Sequence, residues 1–192
     1  MNPSFDLKSE HDTMSIILAA LKKTVSDIYE NNYFDLFRVS QIIEFIRTYN
    51  DKCHHEKEEK ILFPAILESG IPNSADTIHF LINEHEIARE CIVDIETNLR
   101  DYLAGNTYAL ENLSSSINKY IFLEEKHIKT ENNVLLPMAD IVLNTKKQES
   151  ISLEFRYIQD QKVGHNKHLE YYILLSKLHS EANASCVCDF SY

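Results

Sequence analysis

The feature that most constrains this chain is a motif that occurs twice. The stretch "HHEKEEKILFP", which begins at His54, and the stretch "HIKTENNVLLP", which begins at His127, both fit H-x3-E-x2-[IV]-L-[FL]-P. A Glu-His pair precedes each copy, so that His11 lies 43 residues before His54 and His85 lies 42 residues before His127. A displacement of 73 or 74 residues therefore relates two halves of the chain. Such internal similarity restricts the fold more than any single element does.

Few residues in this chain interrupt a helix. Its 192 residues include only three glycines and four prolines, and apolar residues recur at helical spacing along most of its length. Ser9 can cap the first helix, and glycine or proline ends the later ones. We therefore predict an all-α fold, an antiparallel four-helix bundle joined by short connections. The predicted helices cover residues 9–32, 35–69, 74–104 and 107–144.

A further amphipathic segment follows the four helices, over residues 149–182, with an interruption near Val163 and Gly164. We expect a metal-binding bundle over residues 1–145 and a C-terminal helical extension over 146–192 that ends in a loosely ordered tail. The apolar residues predicted to pack this extension on the outside of the bundle are Phe155, Ile158, Leu169, Ile173 and Leu178.

Composition excludes several classes of function. The formal charge of −11 argues against binding to nucleic acid through phosphate contacts. No apolar run is long enough for a transmembrane helix, and the start of the chain lacks the apolar core of a signal peptide. The four cysteines form neither a zinc pattern nor a disulfide framework. We therefore expect a cytoplasmic protein that does not bind membranes.

The spacing within the repeated motif predicts a metal site. Residues four apart lie on one face of a helix, so each histidine and its glutamate can point at the same place in the core. Four histidines and two carboxylates in an apolar interior need a counter-charge, which two divalent cations can supply. By the symmetry of the repeat, His11 and His54 bind one ion and His85 and His127 bind the other. The carboxylates of Glu58 and Glu131 bridge the two ions.

The type of ligand narrows the choice of metal. Imidazole and carboxylate without thiolate suit iron or manganese, whereas structural zinc prefers four tetrahedral ligands that often include cysteine. Two imidazoles and two carboxylate oxygens leave each iron with room for a bridging oxo or hydroxo group and for a small diatomic molecule or peroxide. We therefore predict two non-heme iron ions, with manganese or zinc less favoured.

The chain resembles the hemerythrin-like, or HHE cation-binding, family of diiron four-helix bundles. The resemblance covers roughly residues 8–143 and rests on the duplicated His-x3-Glu motif with its following proline. It implies iron ligands at His11, His54, Glu58, His85, His127 and Glu131. Oxygen-carrying members have a further histidine where this chain has Leu81, so the chain is more similar to the branches that do not carry oxygen.

Other titratable residues have more than one interpretation. His55 and Glu59 directly follow predicted ligands and should turn about 100° away from them, toward solvent or toward the back of a ligand; a less favoured alternative is that either binds metal in place of its neighbour. Glu124 can hydrogen-bond a ligand or bind metal itself. Pro64 and Pro137 should kink or end their helices beyond a regular stretch that carries the ligands. For several other residues, packing or a solvent-exposed position is favoured over a role at the metal site or at a second site: Tyr49, His79, Tyr120, His165, His168, Cys186 and Cys188.

Three functions agree with these ligands. The first is a diiron protein that binds or reduces a small oxidant, namely dioxygen, nitric oxide or peroxide. The second is a sensor or storage module that responds to iron or oxygen without turnover. The third is a structural site for two manganese or two zinc ions. Neither the sequence pattern nor the composition predicts an oligomeric state.

Overall fold

The computed structural model describes the backbone of residues 2–188, and the side chains of those residues except at 165–166 and 182–188. Within this range the chain is helical nearly throughout and has no strand. Three π-helical segments interrupt the α-helices, at Ile46–His55, Glu58–Leu62 and Glu131–Leu135. The α-helices are α1 (Pro3–Asn31), α2 (Leu36–Phe45), α3 (Phe63–Glu68), α4 (Ser74–Leu103), α5 (Ala109–Thr130), α6 (Leu136–Val142), α7 (Thr145–Lys162) and α8 (Gly164–Cys188).

The predicted limits of the second, third and fourth helices are confirmed within two residues. Helical structure runs without a break over residues 36–68, 74–103 and 109–142. The first two of these stretches end beside glycines with positive φ, of 68° at Gly70 and 96° at Gly105. Glycine adopts this left-handed conformation without the steric cost of a Cβ atom, which is why it ends helices so often.

The predicted start of the first helix is wrong. Helix α1 begins at Pro3, six residues before Ser9, and its cap is Asn2, whose side-chain oxygen accepts a hydrogen bond from the backbone N–H of Ser4 at 2.8 Å. Proline suits the first turn because its φ is already helical and its missing N–H has no partner there. Ser9 therefore lies inside the helix, and Asp6 complements the positive end of the helix dipole.

The prediction of regular helix through the ligands is also wrong. A π-helical turn begins at each motif glutamate, where the backbone N–H of Phe63 bonds to the carbonyl of Glu58 and that of Leu136 bonds to the carbonyl of Glu131, five residues back. The next residue in each half is a proline, which has no N–H and crowds the preceding turn. A wider turn relieves that crowding, and α3 and α6 continue beyond it.

Contacts at both ends of several helices define their directions. Helix α4 runs antiparallel to α5, because Glu84 pairs with Lys126 near one end and Asn98 with Ser116 near the other. Helix α1 is likewise antiparallel to α5, and the stretch over 36–68 is antiparallel to α4. The contacts that define these two pairs are Lys22–Glu125 and His11–Asn132, and Arg47–Glu96 and Arg89–Asp51.

The two helices after residue 144 pack against the rest of the chain. Phe155, Ile158 and Leu178 are buried as predicted, but Leu169 and Ile173 are largely exposed, and Tyr171 and Leu174 are buried instead. The reason is that the buried face of α8 carries Tyr171, Leu174 and Leu178, at spacings of three and four residues, and Leu169 and Ile173 lie on the opposite face. The last residues, 189–192, lie outside the described part of the chain.

A polar layer divides the apolar core into two clusters. The larger cluster includes Met14, Ile92 and Ile117, and the smaller one includes Leu7, Leu81 and Leu135. Along α1 and along α4, the buried histidine lies between a residue of one cluster and a residue of the other. None of the helices in residues 2–188 combines the length and the apolar character that a membrane span requires.

Candidate metal centre

The six residues predicted to bind metal lie together in this polar layer. Each is buried, with an exposed fraction of 2% or less. They form two overlapping groups in which one ligand atom per residue lies within 4.8 Å of the others, and both carboxylates belong to both groups. One group is His11, His54, Glu58 and Glu131, and the other is Glu58, His85, His127 and Glu131.

The carboxylates of Glu58 and Glu131 each face both groups. The two oxygens of Glu131 point at histidines of different groups, and one oxygen of Glu58 lies between a histidine of each. A carboxylate in this position can bind two ions at once, which is the arrangement that the repeat predicted. The distances are 3.0 Å from Glu131 Oε2 to His11 Nε2, 3.2 Å from Glu131 Oε1 to His127 Nε2, 3.7 Å from Glu58 Oε2 to His54 Nε2, and 3.5 Å from Glu58 Oε2 to His85 Nε2.

The four histidines are held by the ring nitrogen that faces away from the cluster. In each ring Nδ1 lies at hydrogen-bond distance from a side-chain oxygen, while Nε2 faces the carboxylates. A proton on Nδ1 that is donated outward leaves the lone pair of Nε2 free for a metal ion. The pairs are His11 with Asn132 at 2.9 Å, His54 with Glu10 at 2.8 Å, His85 with Glu59 at 2.7 Å, and His127 with Glu84 at 3.1 Å.

These outer partners obey the same repeat as the histidines that they hold. Glu10 and Glu84 each directly precede a cluster histidine, and each binds the second histidine of its own half. Glu59 and Asn132 each directly follow a motif glutamate, and each binds the first histidine of the other half. The expectation that Glu59 lies behind a predicted ligand is confirmed, since it contacts the outer nitrogen of His85. The roles of the other three were missed, although the duplicated Glu-His pair was a signal for two of them.

Several buried atoms of the cluster lack a hydrogen bond from any described residue. They are both carboxylate oxygens of Glu58, both of Glu131, and Nε2 of His11, which is close to Glu131 but not in hydrogen-bond geometry. Buried polar atoms nearly always have a partner, and an unpaired buried charge is costly. Divalent cations would supply the missing partners. The oxygen and nitrogen donors therefore fit two hard or borderline metal ions.

The pKa values of the cluster show how strongly its charges interact without a cation. Burial and repulsion by Glu131 raise the pKa of Glu58 well above its usual value. Burial also disfavours the charged form of Glu131, but the charge of His127 and the nearby imidazole of His11 outweigh it and lower the pKa of Glu131 well below normal. Despite burial, Glu131 likewise raises the pKa of His127 well above normal. Protons on Glu58 and His127 thus offset part of the charge that metal ions would neutralise.

The expectation that His55 turns away from the cluster is wrong. Its side chain is only 2% exposed, and it forms a third group with His85 and His127 within the same 4.8 Å limit. His55 ends the π-helical segment, whose wider turn rotates each residue by less than 100° and so carries two consecutive histidines inward. Its ring stacks on that of His85 at 3.8 Å between centroids, so it must rotate about Cβ–Cγ to share an ion with His85.

A chain of polar side chains lies behind His55. Asn50 Nδ2 lies 3.3 Å from Nε2 of His55 and 3.5 Å from the hydroxyl of Tyr120, and Tyr120 in turn hydrogen-bonds Glu124. Burial raises the pKa of Glu124. Glu124 belongs to none of the three groups, so it supports the site from behind. A cavity of about 20 Å³, room for one water molecule, is lined by Arg47, Asn50, Asp51, His55, Arg89 and Tyr120, among others.

The remaining candidates lie away from the cluster. Tyr49 packs against Phe45 at 4.8 Å between ring centroids, and His79 is exposed. His168 is half-buried, and its Nε2 lies 3.3 Å from Nε2 of Gln159. The side chains of His165, Cys186 and Cys188 lie outside the described residues. Cys53 and Cys91 are free and buried.

A helical fold with a buried layer of histidines and carboxylates defines a class of cation-binding proteins, and comparison with known families identifies it. The family model of the hemerythrin HHE cation binding domain matches residues 2–139. This chain therefore belongs to that family, and it was rightly identified as a member from its duplicated motif. Searches of curated proteins and of solved structures found no match.

Proposed function

We propose that this chain is a non-heme diiron protein that binds or reacts with a small oxidant. The observation that carries the proposal is the pair of four-residue groups that share both carboxylates, with the inward-facing oxygen atoms left without hydrogen bonds. The His/Glu donor set favours iron over structural zinc. In this proposal His11 and His54 hold one ion, His85 and His127 hold the other, and Glu58 and Glu131 bridge them.

The surrounding fold supports such a site in a specific way. We propose that the helical stretches over residues 3–31, 36–68, 74–103 and 109–142 form one antiparallel four-helix bundle around the polar layer. Each stretch then contributes at least one ligand. The apolar clusters above and below exclude bulk water, and a low-dielectric surrounding strengthens each bond between a ligand and an ion.

The protein's own residues fix the ligands before any ion arrives. The outward hydrogen bonds of the four Nδ1 atoms select the tautomer that leaves Nε2 available, and they hold the rings in place. Two histidines and two carboxylate oxygens give each ion four donors, which is fewer than the five or six that iron prefers. With ferrous iron bound, the site held by these residues would be able to supply two electrons to a small oxidant. The partner proposed for the protein is therefore dioxygen, nitric oxide or peroxide.

The structure favours one difference between the two ions. His55 lies beside His85 and His127, and Nδ1 of His55 has no hydrogen-bond partner among the described residues. We propose that His55 rotates to give this ion a third nitrogen donor. The ion held by His11 and His54 then keeps more room for an added molecule, so we place the small oxidant on that side.

Metal analysis combined with anaerobic reactivity tests the proposal. Protein reconstituted with ferrous iron should hold two ions per chain, and its absorption spectrum should change when dioxygen, nitric oxide or peroxide is added. Disappearance of the added oxidant would indicate turnover, and its recovery on degassing would indicate reversible binding. One ion per chain, none, or a spectrum indifferent to all three oxidants would contradict the proposal.

A further inference from the structure

Lys57 is a buried cation inside the duplicated motif, between His54 and Glu58, and it does not face the cluster. Its side chain is 1% exposed, which is rare for lysine. Its ammonium forms an ion pair with Oε1 of Glu10, lies 3.0 Å from Oε1 of Gln159, and sits 5.8 Å from the ring centroid of Phe155. A buried ammonium is tolerated only when paired in this way.

The carboxylate that pairs with Lys57 also holds a proposed ligand. Oε2 of Glu10 accepts the hydrogen bond from Nδ1 of His54 at 2.8 Å, while Oε1 binds the lysine. Because both oxygens of Glu10 are occupied, the carboxylate cannot rotate without breaking one of these contacts. Lys57 therefore acts on His54 through Glu10, and Gln159 acts on Lys57.

Two of the residues in this chain of contacts come from outside the matched family domain. Gln159 and Phe155 lie on α7, whereas the family match ends at residue 139. The C-terminal extension thus supplies Gln159, the partner of Lys57 that lies on the side away from the cluster. Helix α7 also contacts the π-helical segments that carry His54 and Glu58.

The second half of the chain provides an internal comparison. Glu84 holds His127 as Glu10 holds His54, and its other oxygen binds Lys126 at 3.1 Å. The side chain of Lys126 is 53% exposed, however, and its ammonium lies 4.7 Å from the ring centroid of Phe80, a residue of α4 rather than of the extension. Thr130 occupies the position in the second motif that Lys57 occupies in the first. Among the described residues, the carboxylate that holds the second histidine of each half thus pairs with a buried lysine in the first half, Lys57, and with an exposed lysine in the second half, Lys126.

We propose that Lys57 and Gln159 are positioning residues for His54, so that the C-terminal extension forms part of the metal centre. Their contacts lower the mobility of His54 and strengthen binding of the ion that it shares with His11. Because binding and docking are linked reciprocally, that ion in turn strengthens docking of α7. This inference rests on the metal site of the proposed function.

Anaerobic titration of the full-length chain with ferrous iron tests the inference. Lys57→Met should weaken the binding of one of the two ions by about 10- to 100-fold, which is the usual effect of losing a residue that orients a ligand. Gln159→Leu should weaken the binding of the same ion by about 3- to 10-fold, since one hydrogen bond is lost. The matched controls are Lys22→Met, at an exposed lysine on α1, and Gln161→Leu, at a solvent-exposed site on α7. Both controls should leave the affinities within about twofold of the original chain, as surface changes do.

A second measurement needs no metal. In the metal-free protein the Nδ1 proton of His54, which is donated to Glu10, should give a protected ¹⁵N-coupled NMR signal. Lys57→Met and Gln159→Leu should lose this signal through faster exchange with water, and the two controls should keep it. This signal reports the position of one ring, so a general loss of stability would not remove it selectively.

The outcomes separate the positioning role from the diiron proposal. If the original chain binds two ions and the Lys57 and Gln159 variants bind them equally well, the positioning role is wrong and the diiron proposal stands. If the original chain binds no iron, the diiron proposal fails, and an unchanged His54 signal in Lys57→Met would overturn the positioning role as well. An equal loss of iron affinity in all four variants would also overturn the positioning role, because the loss would then reflect a general effect of substitution.

Discussion

At the scale of single residues, the position of a side chain in the repeat decides what it does. A motif glutamate faces the cluster, and the residue directly after it reaches the Nδ1 atom of a histidine from the other half. Glu58 and Glu59 are the clearest case, since Glu58 is wholly buried while Glu59 Oε1 binds both His85 and Arg89. Neighbouring carboxylates thus have separate tasks that substitution can tell apart.

Glu58→Gln should lower the metal content of the protein more than Glu59→Ala does. A bridging carboxylate offsets part of the positive charge of both ions, so removal of its charge should release both ions or leave one weakly bound. Loss of Glu59 removes only an orienting hydrogen bond, and affinity for one ion should fall by about 10- to 100-fold. Elemental analysis after dialysis against buffered iron measures both, with exposed Glu90→Ala as the control. Greater loss in Glu59→Ala would mean that the register of ligands is shifted by one residue.

The role of His55 can be tested by a change that keeps an aromatic ring. His55→Phe retains the ring stacked on His85 but removes both nitrogens. If His55 supplies a third nitrogen, this variant should weaken the binding of the ion at His85 and His127 by about tenfold or more. The control is His79→Phe, at an exposed histidine, which should leave the affinity unchanged. Stepwise iron titration gives the two affinities. Unchanged affinity in His55→Phe would assign His55 to packing alone.

At the scale of helical elements, the π-helical turns join the ligands to the prolines. Each turn starts at a motif glutamate and ends two residues before a proline, so the segment proposed to bind metal also departs from regular α-helical hydrogen bonding. In the absence of ions, these turns also carry the uncompensated carboxylates. Local opening should therefore be easiest there.

Metal should protect these turns more than the rest of the chain. Without metal the protein should stay largely helical, because the two apolar clusters remain, but amide hydrogens around residues 54–66 and 127–139 should exchange faster. Native-state hydrogen exchange with and without iron measures this. The amides of α4 around Ile92 and Ile95, in the larger apolar cluster, serve as the internal reference. Equal protection of the two turns in both states would refute the link between metal and local stability.

At the scale of the whole molecule, a charged layer through the middle of the core makes stability depend on protons and metal together. The pKa of His127 and that of Glu58 are raised, so their contributions to stability are present below their unfolded values and are lost as pH rises through their folded values. The lowered pKa of Glu131 acts in the opposite sense, and its contribution is lost as pH falls below about 4.5.

Raising the pH from about 6.5 to 9 should therefore widen the difference in stability between the two forms of the protein. The metal-free form should become less stable, because His127 and Glu58 lose the protons that offset Glu131. The iron-loaded form, at fixed total iron, should become more stable relative to the metal-free form, because ligands bind metal only when deprotonated. Thermal unfolding under anaerobic conditions measures both trends. Parallel pH profiles of the two forms would contradict this view of the layer.

Removing the metal should lower the melting temperature substantially. Ligand at 100 times its dissociation constant adds about 2.7 kcal/mol per site, and for a chain of this size each kcal/mol shifts the melting temperature by about 2–4 °C. Loss of two such ions should thus lower it by about 10–20 °C. Calorimetry before and after treatment with a chelator, followed by restoration with iron, provides the measurement. A chelator-insensitive melting temperature would mean that no metal contributes to the fold.

Much of this protein was determined by local sequence alone. The limits of three helices followed from apolar periodicity, glycines and prolines, and the six clustered residues followed from a repeat whose spacing of four places a histidine and a glutamate on one face. These are short-range properties, since side-chain direction along a helix depends only on position in the turn.

The tertiary structure decided what depends on a departure from the ideal turn or on a neighbour distant in sequence. His55 turned inward because a π-helical segment changed the angle per residue, and Leu169 and Ile173 turned outward because α8 packs through its opposite face, which carries Tyr171 and Leu174. The partners of the histidines, Glu10 for His54 and Asn132 for His11, are 44 and 121 residues away along the chain. Lys57 has no sequence signal for burial, because a lysine is buried only where the folded chain brings a carboxylate to it.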